Sequence, residues 1–471
     1  MTTDNRRKEE KSKANTEETR RNLHLPPKST MVDKAEREAS HLPGNDRNTH
    51  VATIENVVSS RNMNEAYKAV KRNDGAPGID GISTEEIKKV ILEKWPKIKQ
   101  DILDGKYVPS PVRRVEFQKP DGSGVRQLGI PTVMDRIIQQ AIYQELLPVF
   151  DPTFSKYSFG FRPGRSAQQA VIQAQAYILE GCDWVVDIDL EKFFDRINHD
   201  MLMARVARRV KDKKILLLIR RFLESGVMEN GLVKATEEGA PQGGPLSPLL
   251  SNIMLDDFDK ELEKRGLRFA RYADDCNIYV KSEKAGNRVM EATVRYLMEK
   301  LKLKVNQQKS AVDRPGNRKF LGFTFTQGKE PNRIAVHESR IKRLKDKIRG
   351  VTKKMRGSNV KDSIQKLIMP IIRGWVNYFG IAEQRYVFQS LDGWIRRKIR
   401  STFWRQWKVA SARLRNLKKL GLKANKARKI AYSSKGPWRM AISPGMSIAL
   451  SNKIIEEMGY IPMMKTVLAR S

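Results

Sequence analysis

The decapeptide RYADDCNIYV, residues 271–280, sets two adjacent carboxylates, Asp274 and Asp275, between residues that read as strand. Phe269 and Tyr272 precede the pair and Ile278 and Val280 follow it, so the acids fall at a hairpin tip. A lone Asp-Asp suits a turn for ordinary reasons, because its oxygens accept from nearby backbone amides. A second acidic strand changes that reading. In WVVDIDL, residues 184–190, Val186, Ile188 and Leu190 point one way and Asp187 and Asp189 the other. Carboxylates from separate segments can hold two Mg2+ ions about 4 Å apart, one activating an attacking hydroxyl and one stabilising a leaving pyrophosphate. That is the chemistry of nucleotidyl transfer. No G-x-x-x-x-G-K-[ST] motif occurs, so a triphosphate must be gripped elsewhere.

The elements that must position these acids are legible in outline. RRVEFQ and VRQLGI flank the turn Pro120–Gly124, a hairpin that would project Lys119 and Arg126 from one tip. A helix begins after the loop GAPQGGPLSP, residues 239–248, with Leu250, Ile253, Met254 and Phe258 at the spacing of a buried face. RNDGAPGIDGIS, residues 72–83, is a glycine-punctuated loop between two helical patterns. Order is expected to begin near Ile54, after a disordered polar tail over residues 1–50.

The chain has 471 residues, with 90 Lys and Arg against 54 Asp and Glu, a formal charge of +36. A polyanionic partner explains that excess most simply, since each phosphate neutralised releases counterions. A membrane surface would instead want one amphipathic basic helix, and no apolar run is long enough to span a bilayer. The first fifty residues lack an apolar stretch and carry many acids, which argues against a signal peptide or presequence. Cys182 and Cys276 are the only cysteines, excluding a disulfide framework and a Cys-rich zinc site and pointing to an intracellular protein. Residues 341–430 hold 26 Lys and Arg against four acids, interleaved with Trp375, Tyr378, Phe379, Trp394, Phe403, Trp404 and Trp407. Ile364, Ile368, Ile371, Trp375 and Phe379 recur at helical spacing, so they read as core beneath a basic face.

Seven segments in order complete the pattern: KPDGSGVRQLGIPT (119–132), SFGFRPGRSAQQA (158–170), DIDLEKFFD (187–195), PQGGPLSPLLSN (241–252), RYADD (271–275), LKLKVNQQKS (301–310) and FLGFTF (320–325). The series closely resembles the motifs of bacterial group II intron-encoded reverse transcriptases. RGWVNYFG (373–380) and WRQWK (404–408) look like the maturase or thumb region of that family, and GAPGIDG like its N-terminal motif. The resemblance covers roughly residues 55–465.

Carried over by position, the resemblance makes Asp189, Asp274 and Asp275 the catalytic metal ligands for two Mg2+, with Mn2+ as a substitute, and leaves Asp187 a neighbour. Phe194 would lie under the sugar of the incoming nucleotide and exclude a 2′-hydroxyl. Lys119 and Arg126 would grip the triphosphate, Gln242 would stand beside the nascent base pair, and Gly243 and Gly244 would let backbone approach it. Lys309 falls where some polymerases place a proton donor to pyrophosphate. With Arg162, Arg165, Gly322 and Arg373 it is expected at nucleic acid, Gly322 within the segment that supports the primer end.

The expected fold is therefore α+β: a right-hand polymerase with fingers and palm over residues 51–330, the palm an antiparallel sheet with helices. A helical thumb or maturase domain follows over 331–410, then a small basic DNA-binding or distal maturase region over 411–471. The implied function is RNA-directed DNA synthesis joined to binding of group II intron RNA for splicing and mobility. Its partners would be that RNA, an RNA template with a DNA primer, deoxynucleoside triphosphates and target DNA, in a bacterial cytoplasm and at the nucleoid, without a membrane. Two alternatives remain at this level: a maturase with a vestigial polymerase, and a domesticated reverse transcriptase in DNA repair or phage defence. Neither Cys nor His occurs after residue 380, so the metal-dependent nuclease of many relatives is not expected there, and integration would use a host-supplied 3′ end.

Overall fold

The computed structural model describes residues 50–118, 124–229, 232–234, 238–239 and 243–469. The expected tail therefore lies outside the described residues, as do Lys119, Gln242, the side chain of Arg126 and the first hairpin's turn. The chain divides into two compact units, one ending at Asp313 and the other comprising Ile178–Glu180 and Arg314 onward.

The first unit is organised by a four-stranded antiparallel sheet in the order β6-β7-β3-β8. Its strands are β3 (Trp184–Ile188), β6 (Arg268–Tyr272), β7 (Asp275–Val280) and β8 (Ala311–Asp313). Alternation buries Val186 and Ile188 at 0–1% exposure while Asp187 is half-buried, as the sequence pattern requires. The strand is shorter than WVVDIDL suggests: it ends at Ile188, so Asp189 lies one residue past it. A helix over Glu283–Lys300 covers this sheet at close range. A Cβ on its Gly286 would sit 2.5 Å from Val312 Cγ1, so only glycine lets the helix approach this far.

A second sheet, in the order β2-β1-β4-β5, is built on the expected hairpin of β1 (Val112–Gln118) and β2 (Val125–Ile130), with β4 (Val227–Glu229) and β5 (Leu232–Lys234) beyond. Beside it, α1 (Val133–Phe150) starts at Thr132, whose side chain accepts from the Asp135 N–H and donates to Asp135 Oδ2 at 2.7 Å. One buried helix, α2 (Ser247–Lys264), runs through the unit's main core with Leu250, Ile253, Met254 and Phe258 all at most 3% exposed.

The second unit is helical apart from the hairpin β9 (Phe323–Phe325) and β10 (Ile334–Val336). Basic α3 (Glu338–Lys354) is followed by α4 (Met369–Phe379) and α5 (Arg385–Gln406). The aromatic residues form its core: Trp375 lies 4.9 Å from Phe379, and Phe323 5.1 Å from Phe379, between ring centres. Ile364, Ile368 and Phe379 are buried, with Ile371 and Trp375 half-buried. Buried Asp392 on α5 accepts from the Tyr460 hydroxyl at 2.5 Å and the Met463 N–H at 2.9 Å, tying the last described turns to this helix. Among the described residues no helix is long and apolar enough to cross a membrane.

Candidate active site

β6 and β7 are joined by a two-residue turn, Ala273–Asp274, in which Ala273 takes a φ of +56°. An L-residue there is strained by about 1–2 kcal/mol, so neighbours must fix it. Gly160 does so from outside: a Cβ on it would lie 2.3 Å from the Ala273 nitrogen, a contact with backbone that cannot move aside. Asp274 is half-buried at the tip, while Asp275 is exposed and pairs with Tyr272.

The β3–β7 ladder ends next to the acids. Ile188 with Cys276 is the last pair of that ladder, so Asp189 follows the pair on one segment while Asp275 precedes it on the other, with Asp274 next along. The segment KVNQQKS braces Asp189: its N–H donates to Ser310 Oγ (3.0 Å), and its carbonyl accepts from the Asn306 N–H (2.8 Å). Lys309 Nζ lies 3.5 Å from Asp189 Oδ2. Asp187 belongs to the sheet instead. It pairs with Asn277, whose amide, turned nitrogen-first, donates to Asp187 Oδ1 at 3.0 Å. Among the described residues, no group of three His, Cys, Asp or Glu is arranged to hold a metal ion by itself. Half-exposed carboxylates nonetheless suit a hard cation whose remaining ligands come from a triphosphate and water.

Phe194 sits in a 3-10 turn, Phe193–Arg196, half-buried and edge-on to Phe193 at 5.2 Å. The start of the PQGG loop is seated on this turn. Gly239, at φ +97°, donates to the Ile197 carbonyl (2.8 Å), and buried His199 donates from Nε2 to the Gly239 carbonyl (2.7 Å). At the loop's other end, Gly243 abuts the Gly129 carbonyl of β2 and Gly244 the Gln139 side chain of α1, both closer than a Cβ would allow. His199 escaped the sequence reading, although a histidine opening a helix four residues after a Phe-Phe-Asp turn was there to be weighed.

Arg162 is a correction. It was expected at nucleic acid, but it is 6% exposed and its donors are spent within the protein: Nε on Asp151 Oδ1 (2.7 Å), Nη1 on the Ser155 and Ser158 carbonyls, Nη2 on the Asp151 carbonyl. It staples the loop that carries Gly160. Arg165 is half-buried with its guanidinium over the Phe159 ring at 5.8 Å, and Arg373 is exposed on α4. Gly322 has a φ of +89° and a Cβ there would meet Arg340 Nε at 2.9 Å, so its glycine is required by the fold of the second unit.

The sequence reading also missed a polar stripe. On α2, Asn252, Asp256, Asp259 and Glu263 recur at the 4-3-4 spacing of one helix face, opposite the apolar positions that were counted. Asn252 and Asp259 meet Arg271, the first residue of RYADD, which is 1% exposed. Burial opposes charge on Arg271, but Asp259 outweighs it and holds the guanidinium above its ordinary pKa. Removing either partner would leave a buried charge unpaired, at a cost of about 3–5 kcal/mol.

Comparison with known proteins shows the family. Residues 117–325 match the model for reverse transcriptase (RNA-dependent DNA polymerase), and residues 341–421 the group II intron maturase-specific domain. The chain is 32% identical over 301 residues to protein YkfC of Escherichia coli (strain K12), covering 55% of this chain and 78% of that one. The chain belongs to the group II intron-encoded reverse transcriptases. Group II intron-encoded protein LtrA of Lactococcus lactis subsp. cremoris is 39% identical over 213 residues, 44% of this chain and 34% of LtrA. The putative COX1/OXI3 intron 2 protein of Saccharomyces cerevisiae is 37% identical over 203 residues, 42% of this chain and 23% of that protein. The chain thus spans about a third or less of these two relatives. As a group II intron-type reverse transcriptase it falls in the class of RNA-directed DNA polymerases, and Asp189, Asp274 and Asp275 all lie within the polymerase match.

Proposed function

We propose that this reverse transcriptase extends a DNA primer along an RNA template at the β6–β7 tip, and that it also binds group II intron RNA to assist splicing and mobility. The last β3–β7 pair, Ile188 with Cys276, supports the reading, since Asp189 follows it on one chain segment and Asp275 and Asp274 precede it on the other. Two divalent ions, Mg2+ or Mn2+, held by Asp189, Asp274, Asp275 and the triphosphate, would supply Lewis acidity at the primer hydroxyl and the leaving pyrophosphate.

This chain's own residues do the rest. Lys119 and Arg126 hold the triphosphate, Gln242 lies against the nascent pair, and Phe194 bars a ribose 2′-hydroxyl. In this scheme residues 51–330 are fingers and palm, although those from Arg314 on fall in the second compact unit, 331–410 are the thumb, and 411–471 a basic region for target DNA, reached in the bacterial cytoplasm and nucleoid. The helices that follow β10 carry the positive charge for intron RNA, whose recognition rests on shape and phosphates. The test is extension of an annealed DNA primer on RNA with Mg2+ and deoxynucleoside triphosphates. Extension that EDTA abolishes supports the reading, and no extension by folded protein at any Mg2+ or Mn2+ concentration refutes it.

A further inference from the structure

All five N–H groups of Arg271 are matched to acceptors. Nε donates to Asp259 Oδ1 (2.6 Å) and Nη2 to Asp259 Oδ2 (2.6 Å) and Ser158 Oγ (2.8 Å), while Nη1 donates to Asn252 Oδ1 (3.1 Å) and the Ala273 carbonyl (2.9 Å). Arg271, Asp259, Asn252 and Ser158 are each at most 1% exposed. Stability does not explain the arrangement, because replacing a buried ion pair by apolar residues of similar size is often neutral or stabilising. What an apolar residue could not supply is the directed bond to the Ala273 carbonyl, in the peptide that leads into Asp274.

The same network holds the other side of that residue. Asn252 Nδ2 donates to the Gly160 carbonyl at 2.8 Å, and Gly160 presses on the Ala273 nitrogen. The Arg271 backbone is itself fixed to the glycine's loop, its N–H on the Tyr157 carbonyl (3.0 Å) and its carbonyl accepting from the Phe159 N–H (2.8 Å). The strained residue Ala273 is thus packed against at its nitrogen and hydrogen-bonded at its carbonyl oxygen.

We propose that Arg271 is a positioning residue for Asp274: locked by Asp259, Asn252 and Ser158, it fixes the Ala273 carbonyl and so sets the direction in which the Asp274 carboxylate leaves the tip. The proposal rests on Asp274 being a metal ligand. It differs from a packing role because displacing the carboxylate weakens metal binding and turnover while leaving the fold and nucleic-acid affinity in place.

The experiment uses the full chain in four variants: Arg271→Lys, Ser158→Ala, the apolar pair Arg271→Met with Asp259→Leu, and Asp274→Ala. Mn2+ binding is read by electron paramagnetic resonance on the complex with RNA template, dideoxy-terminated primer and matched nucleotide. Single-turnover incorporation, primer–template affinity and melting temperature are measured beside it. Arg271→Lys and the apolar pair should lose about 10- to 100-fold in Mn2+ affinity and maximal rate, the range for residues that orient ligands, with primer–template affinity unchanged. Ser158→Ala, which leaves the bidentate pair intact, should fold normally and fall between them and the parent. Wild-type Mn2+ affinity and rate in folded Arg271→Lys and Ser158→Ala, with a drop only in melting temperature, would overturn the proposal. If Asp274→Ala itself leaves Mn2+ binding intact, the reading of Asp274 as a ligand fails first and the proposal with it.

Discussion

The Lys309 ammonium lies 3.5 Å from Asp189 Oδ2, so an acid expected to hold a divalent cation already faces a monovalent one. Both side chains are partly exposed, 57% and 34%, and a pair of that kind is worth at most about 1 kcal/mol, or roughly a fivefold change in an equilibrium. Lys309→Ala should therefore lower the Mg2+ concentration giving half-maximal extension, by up to about fivefold. A titration whose midpoint stays put or rises would separate Lys309 from the metal.

Gly160→Ala tests the contact at the hairpin tip. Its Cβ would collide with the Ala273 backbone, and overpacking of this kind costs about 1–3 kcal/mol. Thermal melting should fall and extension should fall further, because the displaced peptide carries Asp274. Gly350→Ala is the control. It lies within α3 with nothing near its Cβ, so the substitution should stabilise by up to about 1 kcal/mol and leave extension unchanged.

Much of this site was legible because its periods are short. Alternation in WVVDI and RYADDCNIYV located β3, β6 and β7, and the apolar face of α2 located that helix. The end of β3 was misread by two residues. Asp189 and Leu190 keep the alternation of a strand, yet the backbone there is bonded to another segment, Asp189 to Ser310 and Asn306 and the following Glu191 to Lys304, which local pattern cannot reveal. Arg162 was misplaced for the same reason. An arginine between Phe and Pro-Gly-Arg reads as surface charge until Asp151 and three carbonyls converge on it. The acids facing Arg271 were overlooked because only apolar periodicity was counted on α2.

His337 gives the second unit a pH dependence. Its Nδ1 caps α3 by accepting from the Ser339 N–H at 3.2 Å, which requires the unprotonated ring. Burial, then Lys319 and Arg340, hold its pKa below the ordinary 6.5. The unfolded chain then takes up the proton more readily than the folded one, so this contribution is present above pH 6.5 and is lost as pH falls toward the folded value. Amide exchange at the start of α3 should quicken on acidification below pH 6.5, and His337→Asn, which keeps a cap, should flatten that response.

Phe194→Ala should raise ribonucleotide incorporation relative to deoxynucleotide, since the exclusion proposed for it is steric. Single-nucleotide kinetics with both sugars would read it. An unchanged ratio would return Phe194 to its packing against Phe193 alone.

The most direct measurement compares Asp274→Ala and Asp189→Ala with the parent in two assays on the same folded protein: primer extension on RNA, and affinity for group II intron RNA together with its splicing. Extension should vanish in both variants while RNA affinity and splicing assistance persist, because metal ligands serve transfer alone and binding rests on distributed positive charge. Extension at the parent's rate, or loss of RNA binding in parallel with loss of synthesis, would contradict the placement of catalysis at the β6–β7 tip.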